Sequence, residues 1–162
     1  MKRTILLCIA TLVGIFAASA QNAVDEVLGV LQHYRVSFDY EYVITGLQEV
    51  TVQGSGVVQK GCFRIEGAGL QVLCDAESVW TLDMEAKEAY VEAAGPLDYA
   101  QYITDIAWQD NNIVGSFAEP SSGSIINFTL FNIKQSPISG DCSAFVPAAD
   151  TFDGDWVITD LR

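Results

Sequence analysis

The sequence predicts an α+β fold: a strongly curved antiparallel sheet whose apolar face is covered by helices. Three observations carry this. A leading segment places apolar residues at helical spacing. The stretch "YRVSFDYEYVI" alternates with period two. The rest of the chain breaks into short alternating runs punctuated by glycine, asparagine and proline. About nine strands, the leading helix and one mid-chain helix account for the whole pattern.

The first twenty residues read as a secretory signal peptide. Lys2 and Arg3 give a positive start, Thr4 to Phe16 is an apolar run, and Ala18-Ser19-Ala20 supplies small residues for cleavage after about Ala20. The run is shorter than the ~20 residues of a membrane-spanning helix. The expected product is a single soluble domain over residues 21–162, with Cys8 lost. The formal net charge of the chain is −13, and cleavage removes two positive charges. Such acidity repels phosphate backbones and argues against nucleic acid as a partner.

In "NAVDEVLGVLQHY", Val24, Val27, Leu28, Leu31 and Tyr34 gather on one helical face. Asn22 is placed to cap it, and Asp25 and Glu26 lie in the first turn. His33, the single histidine, falls near its end as a surface residue. In the following strand Val36, Phe38, Tyr40, Tyr42 and Ile44 share one face, while Arg35, Ser37, Asp39 and Glu41 share the other. "EVTVQGSGVVQK" continues the alternation, with Gly54 and Gly56 marking a bend or close backbone approach.

The stretch "GCFRIEGAGLQVLCD" predicts a hairpin. A three-residue loop at Gly67-Ala68-Gly69 sets Cys62 opposite Cys74, close enough for a disulfide that pins the register. The competing reading is two small buried residues, with Cys142 as a rival partner. "SVWTLDM" and "EAYVEA" form a further hairpin across Glu85-Ala86-Lys87, with Trp80, Leu82 and Met84 on one face. "LDYAQYITDIAW" reads as a short helix carrying Leu97, Tyr99, Ile103, Ile106 and Trp108. Strands resume with "IVGSFAE", "IINFTLFNIKQ", "CSAFVP" and "WVITDLR".

Catalytic patterns are scarce. There is no GxSxG, HExxH, glycine-rich phosphate loop or CxxC, so neither an enzyme nor a metal site is expected. Asp39 and Glu41 sit two apart on a strand, as solvated carboxylates do. Asp150, Asp153 and Asp155 lack the spacing of a calcium loop, and Asp153-Gly154 reads better as a hairpin turn.

The order of segments resembles the periplasmic lipoprotein carrier family, the LolA-like proteins. The resemblance rests on the signal peptide and amphipathic helix, then "VSFDYEY", "GSGVVQKGCFRI", "LCDAESVWTLDMEAKEAYV" and the ending "FVPAADTFDGDWVITDLR". Asp75, Trp80 and Lys87-Glu88 match, and Asp160-Leu161-Arg162 matches the closing Asp-x-Arg. Ala76 stands where the family has glycine, and no residue matches the arginine tied there to lid closure. The resemblance implies an incomplete antiparallel barrel in the periplasm, lidded by helices, that holds acyl chains of lipoproteins or other lipids without a cofactor. Val36, Phe38, Tyr40, Tyr42, Phe63, Trp80 and Leu82 would then line the cavity, and Tyr99, Ile103 and Ile106 the lid. A monomer passing lipid between membrane-bound donor and acceptor proteins is implied. The alternative on the same fold is a periplasmic sensor or protein-interaction module with a filled core.

Overall fold

A computed structural model describes residues 30, 33–44, 49–95, 103–118 and 124–162. The predicted signal peptide lies outside these, as does the leading helix apart from Val30 and His33, both helical, and Tyr34, which opens the first strand instead. The strands are β1 (Tyr34–Ile44), β2 (Val50–Gln59), β3 (Cys62–Gly67), β4 (Leu70–Cys74), β5 (Ser78–Asp83), β6 (Glu88–Ala93), β7 (Ile103–Gln109), β8 (Asn112–Ala118), β9 (Ile125–Pro137) and β10 (Val157–Asp160). They form one open sheet in the order β10-β6-β5-β4-β3-β2-β1-β9-β8-β7. Every neighbouring pair is antiparallel except β10, which runs parallel to β6.

The expected α+β class is therefore corrected. Among the described residues the architecture is all-β, and no helix layer covers a sheet face. The decisive segment is "ITDIAWQ". It forms β7 rather than the end of a mid-chain helix, so Ile103 and Ile106 do not sit on a helical lid. Asp110 and Asn111 both have positive φ, 50° and 66°, and close a two-residue turn from Gln109 to Asn112. That turn matches the twist of paired strands and draws the preceding residues into the sheet. The period-two exposure of Asp105, Ala107 and Gln109 against half-buried Ile106 and Trp108 then follows.

The same turn chemistry recurs at Lys60-Gly61 (φ 48° and 80°) and Ala68-Gly69 (φ 52° and 78°). The second of these corrects the predicted hairpin. Gly67 pairs with Leu70, so the loop has two residues rather than three, and Cys74 lies opposite Phe63. One residue of register moves a side chain to the other face. Cys62 and Cys74 therefore point to opposite sides of the sheet, and the expected Cys62–Cys74 disulfide does not form. Cys62 is bonded to Cys142 with Cα atoms 5.8 Å apart, and Cys74 is a buried free thiol. The bond spans 80 residues, and closing so long a loop removes up to about 4.5 kcal/mol of unfolded-chain entropy.

"CSAF" is not a strand. It forms a 3-10 turn at Cys142–Phe145, whose first residues are tied by the Asp141 carboxylate accepting from the Ser143 amide at 3.0 Å. Asp153-Gly154 does not make a hairpin either, because the strand that follows joins β6 in parallel. The segment between β9 and β10 instead crosses one face of the sheet, fastened at Cys142.

Both sheet faces carry buried side chains. On the first face sixteen buried side chains from β8, β9, β1, β2, β3 and β4 form one cluster, with Ile106 and Trp108 of β7 at its border. On the second face Leu73, Leu82 and Ala89 form a smaller cluster, against which Trp80, Phe152 and Trp156 pack. Phe152 and Trp156 come from the C-terminal crossing segment. Their rings meet edge to face at 5.5 Å, and Phe152 lies 6.0 Å from Trp80.

Candidate functional site: the apolar face of the sheet

The first face is built from period-two strands whose apolar sets fall in register. Val36, Phe38, Tyr40 and Tyr42 of β1 stand opposite Val58, Gly56, Gly54 and Val52 of β2. On the other flank Tyr40, Tyr42 and Ile44 stand opposite Leu130, Phe128 and Ile126 of β9. The face continues through Phe63 and Ile65 to Cys74 and Val72, and through Ile113 and Phe117 to β7.

Glycine lets the large rings lie down on this face. A Cβ on Gly56 would meet Phe38 Cζ at 2.5 Å, and one on Gly54 would meet Tyr40 Cζ at 2.5 Å. Gly67 and Gly115 give the same clearance to Tyr40 and Phe128. Tyr40 stacks on Tyr42 at 5.7 Å between centroids with planes 4° apart, and its hydroxyl donates to the Glu66 carbonyl at 3.2 Å. The polar end of a wholly buried ring is thereby satisfied.

Two polar groups stand out on this apolar surface. The Cys74 thiol is held above its ordinary pKa chiefly by burial, although the Ala76 amide donates to its sulfur at 3.4 Å. It is therefore protonated and a poor nucleophile at neutral pH. The Trp108 indole N–H is buried and has no hydrogen-bond partner among the described residues. An orphaned donor in an apolar setting costs free energy unless something accepts from it.

The carboxylates that alternate with this face are engaged on the other side. Asp39 accepts from Asn132 at 2.7 Å, Glu41 from Gln53 at 2.6 Å, and Glu66 from Gln71 at 2.7 Å. At the sheet edge the Arg162 side chain donates to Asp160 and to Ser78 Oγ, tying β10 to β5 across β6. The hydrogen bond from Arg162 lowers the Asp160 carboxyl to about 2. Among the described residues no group of three or more His, Cys, Asp or Glu could hold a metal ion. None of the described helical residues belongs to a helix long and apolar enough to cross a membrane.

The predicted lining residues divide. Val36, Phe38, Tyr40, Tyr42 and Phe63 come together, buried, on the first face, and half-buried Ile106 joins them. Trp80 and Leu82 do not. Trp80 pairs with Leu73 and Leu82 with Gln71, which puts both on the second face under the crossing segment. Ile103 lies in β7, but its side chain is outside the described residues, as is Tyr99 altogether. Trp108, expected on the apolar side of a helix and not among the lining residues, borders this face from β7, and sequence reasoning missed Ile113, Phe117, Ile126, Phe128 and Leu130. The alternation in "IINFTLFNI" was the available signal for the last three.

No family model and no curated protein sequence matches the chain. Among solved structures it is similar to an uncharacterized conserved protein from Thermus thermophilus. The two are 8% identical with a TM-score of 0.50, over 86% of this chain and 99% of that one. At such an identity the likeness speaks for the arrangement of strands alone.

Proposed function

We propose that this protein is an exported, non-enzymatic binding protein that holds acyl chains of lipoproteins or other lipids against the first face of its sheet. The observation that carries the reading is that face itself. It is a continuous apolar surface across six strands, and among the described residues only Val30 reaches it from before β1. Small-molecule sites combine such a surface with a few polar anchors. The unpaired Trp108 indole N–H is the anchor on offer, a donor suited to an acyl carbonyl. The signal-like leader and the internal disulfide support a periplasmic location. The order of segments, which resembles that of the LolA-like carriers, supports transfer of lipid between membrane-bound partners by a monomer.

A second reading is favoured by a different observation. Phe38, Tyr40 and Phe128 settle onto glycines, as rings do when they fill a core. On that reading the same fold is a periplasmic sensor or interaction module that carries nothing.

Native mass spectrometry of the exported protein, before and after solvent extraction, separates the two. The carrier reading expects co-purified acyl lipid, or uptake of a fluorescent fatty acid by the extracted protein. It also expects Trp108→Phe to weaken that uptake by about two- to tenfold, the worth of one hydrogen bond. A bare polypeptide mass with no uptake of the probe rejects the carrier and leaves the filled-core module.

A further inference from the structure

We infer that residues 138–146 form a latch, shut by the Cys62–Cys142 disulfide and opened by its reduction while the sheet stays folded. The inference concerns the second face and is independent of what the first face binds. Pro137 ends β9 and Pro147 follows the 3-10 turn, so the segment is bracketed by residues that cannot extend a ladder. No residue of the segment pairs in the sheet or belongs to either apolar cluster.

Its ties to the sheet are few. Gln59 Nε2 donates to the Ser139 and Gly140 carbonyls at 3.1 and 3.3 Å, and Arg64 Nη2 donates to the Ala144 carbonyl at 3.1 Å. The Arg35 guanidinium lies 5.5 Å from the centre of the Phe145 ring, the one buried side chain the 3-10 turn contributes. Single hydrogen bonds and one ring are modest holds beside a covalent bond. The main core lies across the sheet, sharing no residue with this segment, so the latch can open without disturbing it.

The chemistry is a thiol–disulfide exchange with a dithiol. Cys62 is wholly buried and Cys142 half-buried, so a reductant thiolate attacks the Cys142 sulfur. Cys62 leaves as a thiolate and takes up a proton. The second thiol of the reductant then displaces Cys142 and closes its own disulfide. One protein disulfide is reduced and one dithiol oxidised. Cys74 takes no part, because its side chain lies on the first face. Opening bares Arg35, Gln59 and Arg64, and among the described residues neither arginine is paired with a carboxylate. Arg64 Nε is already buried without a partner among the described residues while the latch is shut. A strongly acidic protein would thus uncover a cationic patch under reducing conditions.

Hydrogen exchange of the oxidised and dithiothreitol-reduced protein tests this. Amides of residues 139–145 should exchange at least about thirtyfold faster on reduction, and those of β1, β2 and β9 should not change. Cys142→Ser should reproduce the reduced pattern, and Cys74→Ser should leave the oxidised one intact. Phe145→Ala with the disulfide in place should accelerate the segment less than reduction does. The inference is overturned if the segment's exchange is unmoved by reduction. It is equally overturned if the sheet accelerates with the segment, or if Phe145→Ala alone opens it as far.

Discussion

At the scale of single residues, the first face is governed by where side chains are missing as much as by where they are present. Gly56 faces Phe38, and the ring occupies the volume a methyl group would need. Gly56→Ala should destabilise the protein by about 2 kcal/mol, the usual penalty for overpacking a filled site. Urea denaturation should show the midpoint falling with little change in slope. Gly61, Gly69 and Gly140 have open space around the missing side chain and owe their identity to positive φ instead. Gly54 and Gly56 were legible in the sequence as close-approach positions. Which rings approach them was not, because that depends on the register between β1 and β2. Ala76 is a comparable case. Its φ of 78° is a glycine conformation.

Among elements, turns decide more than strands do. The alternating pattern identified β1 from Tyr34 to Ile44, since every second residue there is aromatic or aliphatic. It could not choose between a two- and a three-residue loop at Gly67-Ala68-Gly69. That single choice determines which face Cys62 occupies, and hence which cysteine it meets. The turn as built places Ala68 at φ 52°, a conformation that costs an alanine free energy. Ala68→Asn, completing the Asn-Gly pair this turn prefers, should raise stability by about 0.5–1 kcal/mol. Thermal unfolding monitored by circular dichroism would show it as a rise in Tm of a few degrees. The helix expected near Ile103 failed for the same reason. Apolar spacing in "LDYAQYITDIAW" fits a helix loosely, but Asp110-Asn111 commits the preceding residues to a hairpin with β8.

For the whole molecule, an open ten-stranded sheet has two edges to protect. The β7 edge carries a register irregularity between Ile103 and Asp105. The β10 edge is four residues long and carries the Asp160–Arg162 ion pair at 2.6 Å. Val157, Ile158 and Leu161 are nonetheless exposed there, by 62%, 50% and 59%, and the net charge of −13 opposes their pairing between copies at neutral pH. With a sequence pI of about 4.1, that repulsion vanishes as the pH falls from 7 towards 4. Sedimentation velocity should show a monomer at pH 7 and association near pH 4, reduced by Ile158→Lys. Association undiminished at pH 7 would mean that the edges, and not the net charge, control solubility.

The sequence by itself determined the strands with strict period-two alternation, the acidic surface and the single apolar face of β1, because these follow from local pattern and composition. It also determined that Val36, Phe38, Tyr40 and Tyr42 act together, since alternate residues of one strand cannot do otherwise. Only the tertiary structure decided that Trp80 and Leu82 lie on the opposite side, that Cys142 rather than Cys74 meets Cys62, and that the last strand runs parallel to β6. The first two turn on the register of the β3–β4 and β4–β5 hairpins, where a shift of one residue exchanges the two faces of the sheet, and the third on pairing between strands distant in the chain.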